Sequence, residues 1–157
     1  MPGPRRPTIA FVTIALVLHW TWETAHAVAY VNTDAPLVER FWHCLPMAIV
    51  DTAWSGAVVL AGYAASIALG LRPAMWIISA TAGAVSAVIV ERVAVETGRW
   101  TYNDLMPILP VVNVGLWPIL QMSLLPPLAF YSATRFIKKT EPHRRPRTAR
   151  PTTNRMS

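Results

Sequence analysis

The strongest constraint on this chain is the number of apolar runs long enough to cross a bilayer. A spanning helix needs about 20 mostly apolar residues, because the hydrocarbon core is about 30 Å thick and a helix rises about 1.5 Å per residue. Broken at its charged and Pro- or Gly-rich joints, the sequence holds four such runs, at 8–30, 44–69, 74–96 and 115–137, with a margin of a few residues at each end. The first lies between PGPRRP and VNTDAP, the second closes at LGLRP and the third ends in ERVAVETGRW. Ahead of the fourth, MPILPVVNVG is apolar but too short and too broken by proline to span. Backbone of that kind is tolerated at membrane depth only where protein or a water-filled cavity covers it. The expected architecture is all-α: an integral membrane four-helix bundle with a Pro-rich re-entrant or interfacial loop before the last helix. Residues 1–7 read as a short cytoplasmic N-terminus, 8–137 as the membrane domain and 138–157 as a disordered basic tail. With 54% hydrophobic and 14% charged residues in 157, the composition is too apolar for a soluble domain of this size.

Charge placement decides what the net +6 means. Residues 135–157 carry eight Lys or Arg against Glu141, while the other 134 residues hold six basic and seven acidic side chains. The basicity therefore belongs to the tail. No basic face interleaved with aromatics exists elsewhere, so nucleic acid is not the expected partner. A tail rich in Arg, Pro and Thr cannot bury a core, and it suits anionic lipid headgroups or a protein partner. Arg5, Arg6, Arg72 and the tail fall on one side of a four-span layout, so both termini are expected in the cytoplasm of a multi-pass cell-membrane protein. Arg-Arg, then TIAFVTIALVL, then AHA also has the order of a signal peptide. Trp20, Trp22, Glu23 and His26 are poor company for a cleavage site, and the segment reads as a retained span. The single Cys44 allows no intrachain disulfide.

Polar groups inside the runs point to a site. His19, Glu23 and His26, spaced i, i+4 and i+7, share a helical sector of roughly 60°. Two imidazoles and a carboxylate on one face suit metal ligation, proton relay or general acid–base work. The plainer alternative is that they bond to neighbouring helices and fix packing. Running the antiparallel directions through four spans puts Asp51, Glu91 and Gln121 within about five to seven residues of the outer boundary, the level of Glu23 and His26. Polar groups from four helices at one depth are what a shared internal chamber requires, although depth says nothing of azimuth. Arg92 and Glu96 read as an i, i+4 ion pair, His43 and Cys44 as an interfacial histidine with a buried thiol. Ser55, Ser79, Ser86, Gly62 and Gly83 read as close helix packing, and Pro118, Pro126 and Pro127 as a bend in the fourth span.

ERVAVETGRWTYNDLMPILPVVNVGLWPILQ, residues 91–121, resembles a pattern of small bacterial four-helix membrane proteins of no assigned activity: an acidic residue ending a span, then GRW-Y, MP-LP and GL-P--Q. His19, Trp22, Glu23 and His26 resemble the H--WE--H-like element of their first span. This resemblance implies a topology and no chemistry. A second resemblance is to the sterol-isomerase and sigma-2 receptor (EXPERA-type) membrane domain. It rests on the His-xxx-Glu spacing of His19 and Glu23, with Asn113 and Trp117 approximating an Asn/Trp element. It implies Glu23 as proton donor or acceptor and His19 as its partner in moving a double bond in a flat lipid. The Asp-x-Arg-Tyr segment of that domain is missing.

Three functional classes stay open. One is a membrane enzyme, or a lipid- or isoprenoid-binding protein, with His19, Glu23, His26, Asp51 and Glu91 as acid–base groups and Gln121, Asn113 and Trp22 at the ligand. The second handles metal or protons with the same residues, the metal unspecified. The third is a structural or assembly subunit. No phosphate-binding loop, nucleophile elbow, Cys pair or dinucleotide fingerprint occurs, and no cofactor is indicated. Four spans are few for a transporter unless copies associate, which leaves a homo-oligomer open.

Overall fold

The computed structural model describes residues 5–31 and 35–140; residues 1–4, 32–34 and 141–157, and with them most of the expected basic tail, lie outside the described residues. Five α-helices follow one another: α1 (Arg5–His26), α2 (Leu37–His43), α3 (Leu45–Ala68), α4 (Met75–Glu96) and α5 (Leu116–Thr140). Among the described residues three segments are long and apolar enough to cross a membrane: Arg6–Ala29, Leu45–Ala68 and Arg72–Glu96. The helix α5 is as long as these but is not among the segments apolar enough to cross.

Local chemistry explains the helix ends. Gly70 and Gly98 each adopt φ +68°, the left-handed geometry that only glycine enters freely. At Gly98 the amide bonds to Val95 O (3.1 Å) and the next amide, Arg99, to Ala94 O (2.8 Å). Gly70 and Leu71 repeat this with Ile67 O and Ser66 O. Both are Schellman caps, which satisfy the last carbonyls and turn the chain back on itself.

Packing joins α1 to α3 and α5, and α4 to α3 and α5. Small residues set the closest approaches. A Cβ on Gly62 would strike Ser79 Oγ, bringing α3 and α4 together at that level, and a Cβ on Gly83 would strike the Met122 carbonyl of α5. That carbonyl is one whose i+4 amide is missing, because position 126 is proline. The proline therefore frees an oxygen that turns to the backbone of α4, where the absent side chain leaves room. Inter-helix contact through small residues is the usual device where lipid supplies no hydrophobic drive.

Two features were not anticipated from the sequence. The heptapeptide LVERFWH forms α2, too short for a helical period to stand out, and Trp20 clasps it by stacking on Phe41 (centroids 4.0 Å) and donating to the Phe41 carbonyl. The Pro-rich loop contains a small antiparallel ladder, β1 (Ile108–Leu109) with β2 (Val114–Gly115), closed by Asn113 at φ 53°. Earlier in this loop the backbone is stitched to the end of α1. Val31 N donates to Thr101 O (2.9 Å), Asn103 N donates to Ala29 O (3.0 Å), and Asn103 Nδ2 donates to the Val28 and Tyr30 carbonyls.

Candidate functional site

Of the polar side chains expected at one level, Glu23, Asp51 and Gln121 meet directly. One face of α1 carries His19, Glu23 and His26 inward, and one face of α3 carries Asp51 and, a turn later, Ser55. Gln121 on α5 sits between the two faces. Its Nε2 lies 2.8 Å from Glu23 Oε1, 2.9 Å from Asp51 Oδ2 and 3.0 Å from His19 Nδ1. The other ring nitrogen of His19, Nε2, lies 2.7 Å from Ser55 Oγ. His19 and Ser55 are completely buried and Gln121 almost so. Groups this deep must be paired, since an unpaired buried polar group costs about 1–3 kcal/mol.

Glu91 forms a second polar centre on α4. Its Oε2 accepts from Trp100 Nε1 (3.2 Å) and from the Tyr102 hydroxyl. Both donors come from the loop, which the cap at Gly98 turns back over the end of α4. Burial pushes the Tyr102 phenol above the usual tyrosine range, and its bond to Glu91 adds to this. Tyr102 is therefore a neutral donor throughout the physiological range.

Between the two centres lies a cavity of about 510 Å³. Glu23, His26, Asp51, Glu91 and Gln121 all line it, and its walls are otherwise largely apolar, with Met47, Val50, Val90 and Met122 among them. Trp54 and Ser86 also border it, joined across α3 and α4 by Trp54 Nε1 donating to Ser86 Oγ (3.1 Å). The His26 ring lies 2.9 Å through Nδ1 from the Trp22 carbonyl, so in the neutral ring Nε2 carries the lone pair. Among the described residues Arg99 is the Lys or Arg that reaches the lining, its guanidinium 5.8 Å from the Trp100 ring centre. A pocket of this size with apolar walls and a few converging polar groups has the dimensions of a small-ligand site.

The remaining expected residues fall elsewhere. His19 is bonded to Gln121 behind the cavity rather than among the residues lining it. Trp22 packs edge-to-face on Trp117 at 6.4 Å, with its Nε1 buried and without a partner among the described residues. Asn113 is exposed in the hairpin turn, where its side chain type suits positive φ. Arg92 and Glu96 pair at 3.2 Å on the exposed side of α4. Among the described residues no group of three or more His, Cys, Asp or Glu is arranged to hold a metal ion.

Ser55 reads from the sequence as close packing and Trp100 and Tyr102 only as part of the GRW-Y pattern, yet all three are partners of the polar centres. A signal for the two aromatics was present: a glycine two residues past the end of α4 reverses the chain, so residues just after it return toward the last turns of that helix. Comparison with protein-family models, curated proteins and solved structures returns no match to this chain.

Proposed function

We propose that this chain is an integral membrane protein that binds a lipid or isoprenoid-like ligand in the cavity and acts on it by acid–base chemistry. The supporting observation is a cavity of about 510 Å³ with apolar walls and a Glu23–Asp51–Gln121 cluster at one end. An apolar body satisfies the walls, and a single hydroxyl, carbonyl or polarisable double bond satisfies the cluster. Glu23 or Asp51 gives a proton to the ligand, and the lone pair on His26 Nε2 or the Glu91 carboxylate accepts one; these groups line the space where a reacting atom would sit.

The test is purification of the full chain in mild detergent, followed by identification of co-purifying lipids and metals, repeated with Glu23→Gln and Asp51→Asn. An apolar ligand present in the parent and depleted in both variants supports the reading. A stoichiometric metal lost in both, or two variants that only lose stability with no ligand in the parent, overturns it.

The proposal extends to topology. In it α5 is a fourth span, the Pro-rich loop lies at the outer interface over the cavity, and both termini face the cytoplasm. There Lys138, Lys139 and the arginines beyond them meet anionic headgroups. Reporter fusions at the two ends that report opposite sides of the membrane would overturn this arrangement.

A further inference from the structure

Gln121 faces more acceptors than its amide can serve. Its Nε2 has two hydrogens, and three acceptor atoms lie within 2.8 to 3.0 Å: Glu23 Oε1, Asp51 Oδ2 and His19 Nδ1. The Glu23 and Asp51 carboxyls are also within hydrogen-bonding reach of each other. At the far side of the ring, His19 Nε2 meets Ser55 Oγ at 2.7 Å. Ser55, His19, Gln121 and the carboxyl pair thus form one continuous chain of hydrogen bonds. It runs from fully buried Ser55 on α3, through α1 and α5, to the cavity wall.

Such a chain has two self-consistent arrangements. In the first, Nε2–H of His19 donates to Ser55, and Nδ1 accepts one N–H of Gln121. The other N–H of the amide then goes to the carboxyl pair, which is favoured in an anionic form holding at most one proton. In the second, the ring proton is on Nδ1, which can only donate. The Gln121 amide is turned over, and its oxygen accepts from Nδ1 with one lone pair and from one carboxyl O–H with the other; the second carboxyl donates its proton to the first, so both are protonated. The same heavy-atom positions serve both.

We infer that His19 is a positioning residue: its tautomer, held by Ser55, sets through the orientation of the Gln121 amide whether the Glu23–Asp51 pair faces the cavity charged or neutral. The inference rests on the ligand-site reading only in taking that pair as the polar end against which a ligand is held. His19 acts here from behind the site, which differs from the acid–base partner that the His-xxx-Glu resemblance implies. The other titratable or charged groups facing the pair are His26 on α1, Tyr30 after it, Cys44 ahead of α3, Glu91 on α4 and Arg99 in the loop. Their fields act on every variant alike, so the role of His19 is read from differences between variants.

The experiment is an infrared titration of the full-length protein in lipid vesicles with no ligand added. It follows the protonated-carboxyl stretch that Glu23→Gln and Asp51→Asn diminish. Ser55→Ala removes the acceptor for the Nε2 proton, and buried N–H groups are rarely left orphaned, less often than acceptors. The ring then takes its Nδ1–H form, the amide turns over, and the titration midpoint rises. His19→Ala releases the second N–H of Gln121 to the carboxylates, and the midpoint falls. Each shift is expected at about one pH unit, the worth of one hydrogen bond to a charged group.

Nitrogen spectra of the histidine-labelled full chain give a readout that survives if His19→Ala fails to fold. The His19 ring is assigned as the one that Ser55→Ala displaces, and its proton should move from Nε2 to Nδ1 over the pH range in which the carboxyl band grows. Shifts of equal sign, midpoints that stay put while thermal stability falls, or a single His19 tautomer throughout overturn the inference. Because no ligand is added, failure of ligand capture leaves this titration readable, and an unmoved titration leaves the capture result standing.

Discussion

Gln121 on α5 donates to Glu23 on α1 across 2.8 Å, between residues 98 positions apart in the chain. With the Asp51 contact at 2.9 Å, one amide joins α1, α3 and α5 at the cavity. Gln121→Leu removes the donor while leaving two carboxyls and an imidazole in place. The expected loss is about 1–3 kcal/mol, more where a carboxyl is charged. Thermal unfolding in detergent checks it, and a variant as stable as the parent would show that the bonds carry no net stabilisation.

Gly83 sets how closely α4 approaches the Met122 carbonyl. Gly83→Ala should therefore cost about 1–3 kcal/mol by overpacking. Gly56→Ala is the matched control, since its new methyl would sit 3.8 Å from Phe11 in ordinary contact. That substitution should be neutral or gain up to about 1 kcal/mol from helix propensity. Equal effects at the two glycines would contradict the packing account.

Tyr102 and Glu91 give a pH-dependent stabilisation whose sign is set by the phenol. The Tyr102 value is raised in the folded protein, chiefly by burial and then by its bond to Glu91. A raised value means that its contribution is complete below the ordinary tyrosine value of about 10 and is lost as pH climbs through the higher folded value. Melting temperatures of the parent and Tyr102→Phe should differ by a constant amount from neutral pH to about 10 and converge only in stronger alkali. Convergence near neutrality would refute it.

Asn103 ties the loop to the end of α1 through its side-chain amide, which donates to Val28 O at 2.8 Å and Tyr30 O at 3.2 Å. Asn103→Ala should speed hydrogen exchange at the Val31 and Asn103 amides roughly fivefold, the equivalent of about 1 kcal/mol in local opening. Amides in the middle of α3 serve as the reference and should not change. Acceleration spread evenly over both would mean that Asn103 supports the whole fold rather than this tether.

Most of the helix ends were legible because the signals are local. Gly70 and Gly98 stop α3 and α4 by the left-handed turn they permit, and Pro73 marks the restart before α4. The short α2 escaped because seven residues hold fewer than two turns. The ladder around Asn113 escaped because two-residue strands have no readable alternation. Ser55 was unreadable as a partner of His19, since a buried serine on a helix most often bonds its own backbone, as Ser66 and Ser86 do.

By itself the sequence determined where three long apolar helices lie and how far along its own helix each polar side chain sits. Rise per residue is a property of the helical backbone and needs no neighbour, so the distances of Glu23, Asp51, Glu91 and Gln121 from the ends of their own helices could be counted in advance. Which way those side chains face, and which of them share a proton or a donor, was decided only by tertiary structure. Azimuth depends on the face each helix buries, and that face is chosen by contacts such as Gly83 on the Met122 carbonyl and Gln121 between Glu23 and Asp51, between residues far apart in the chain.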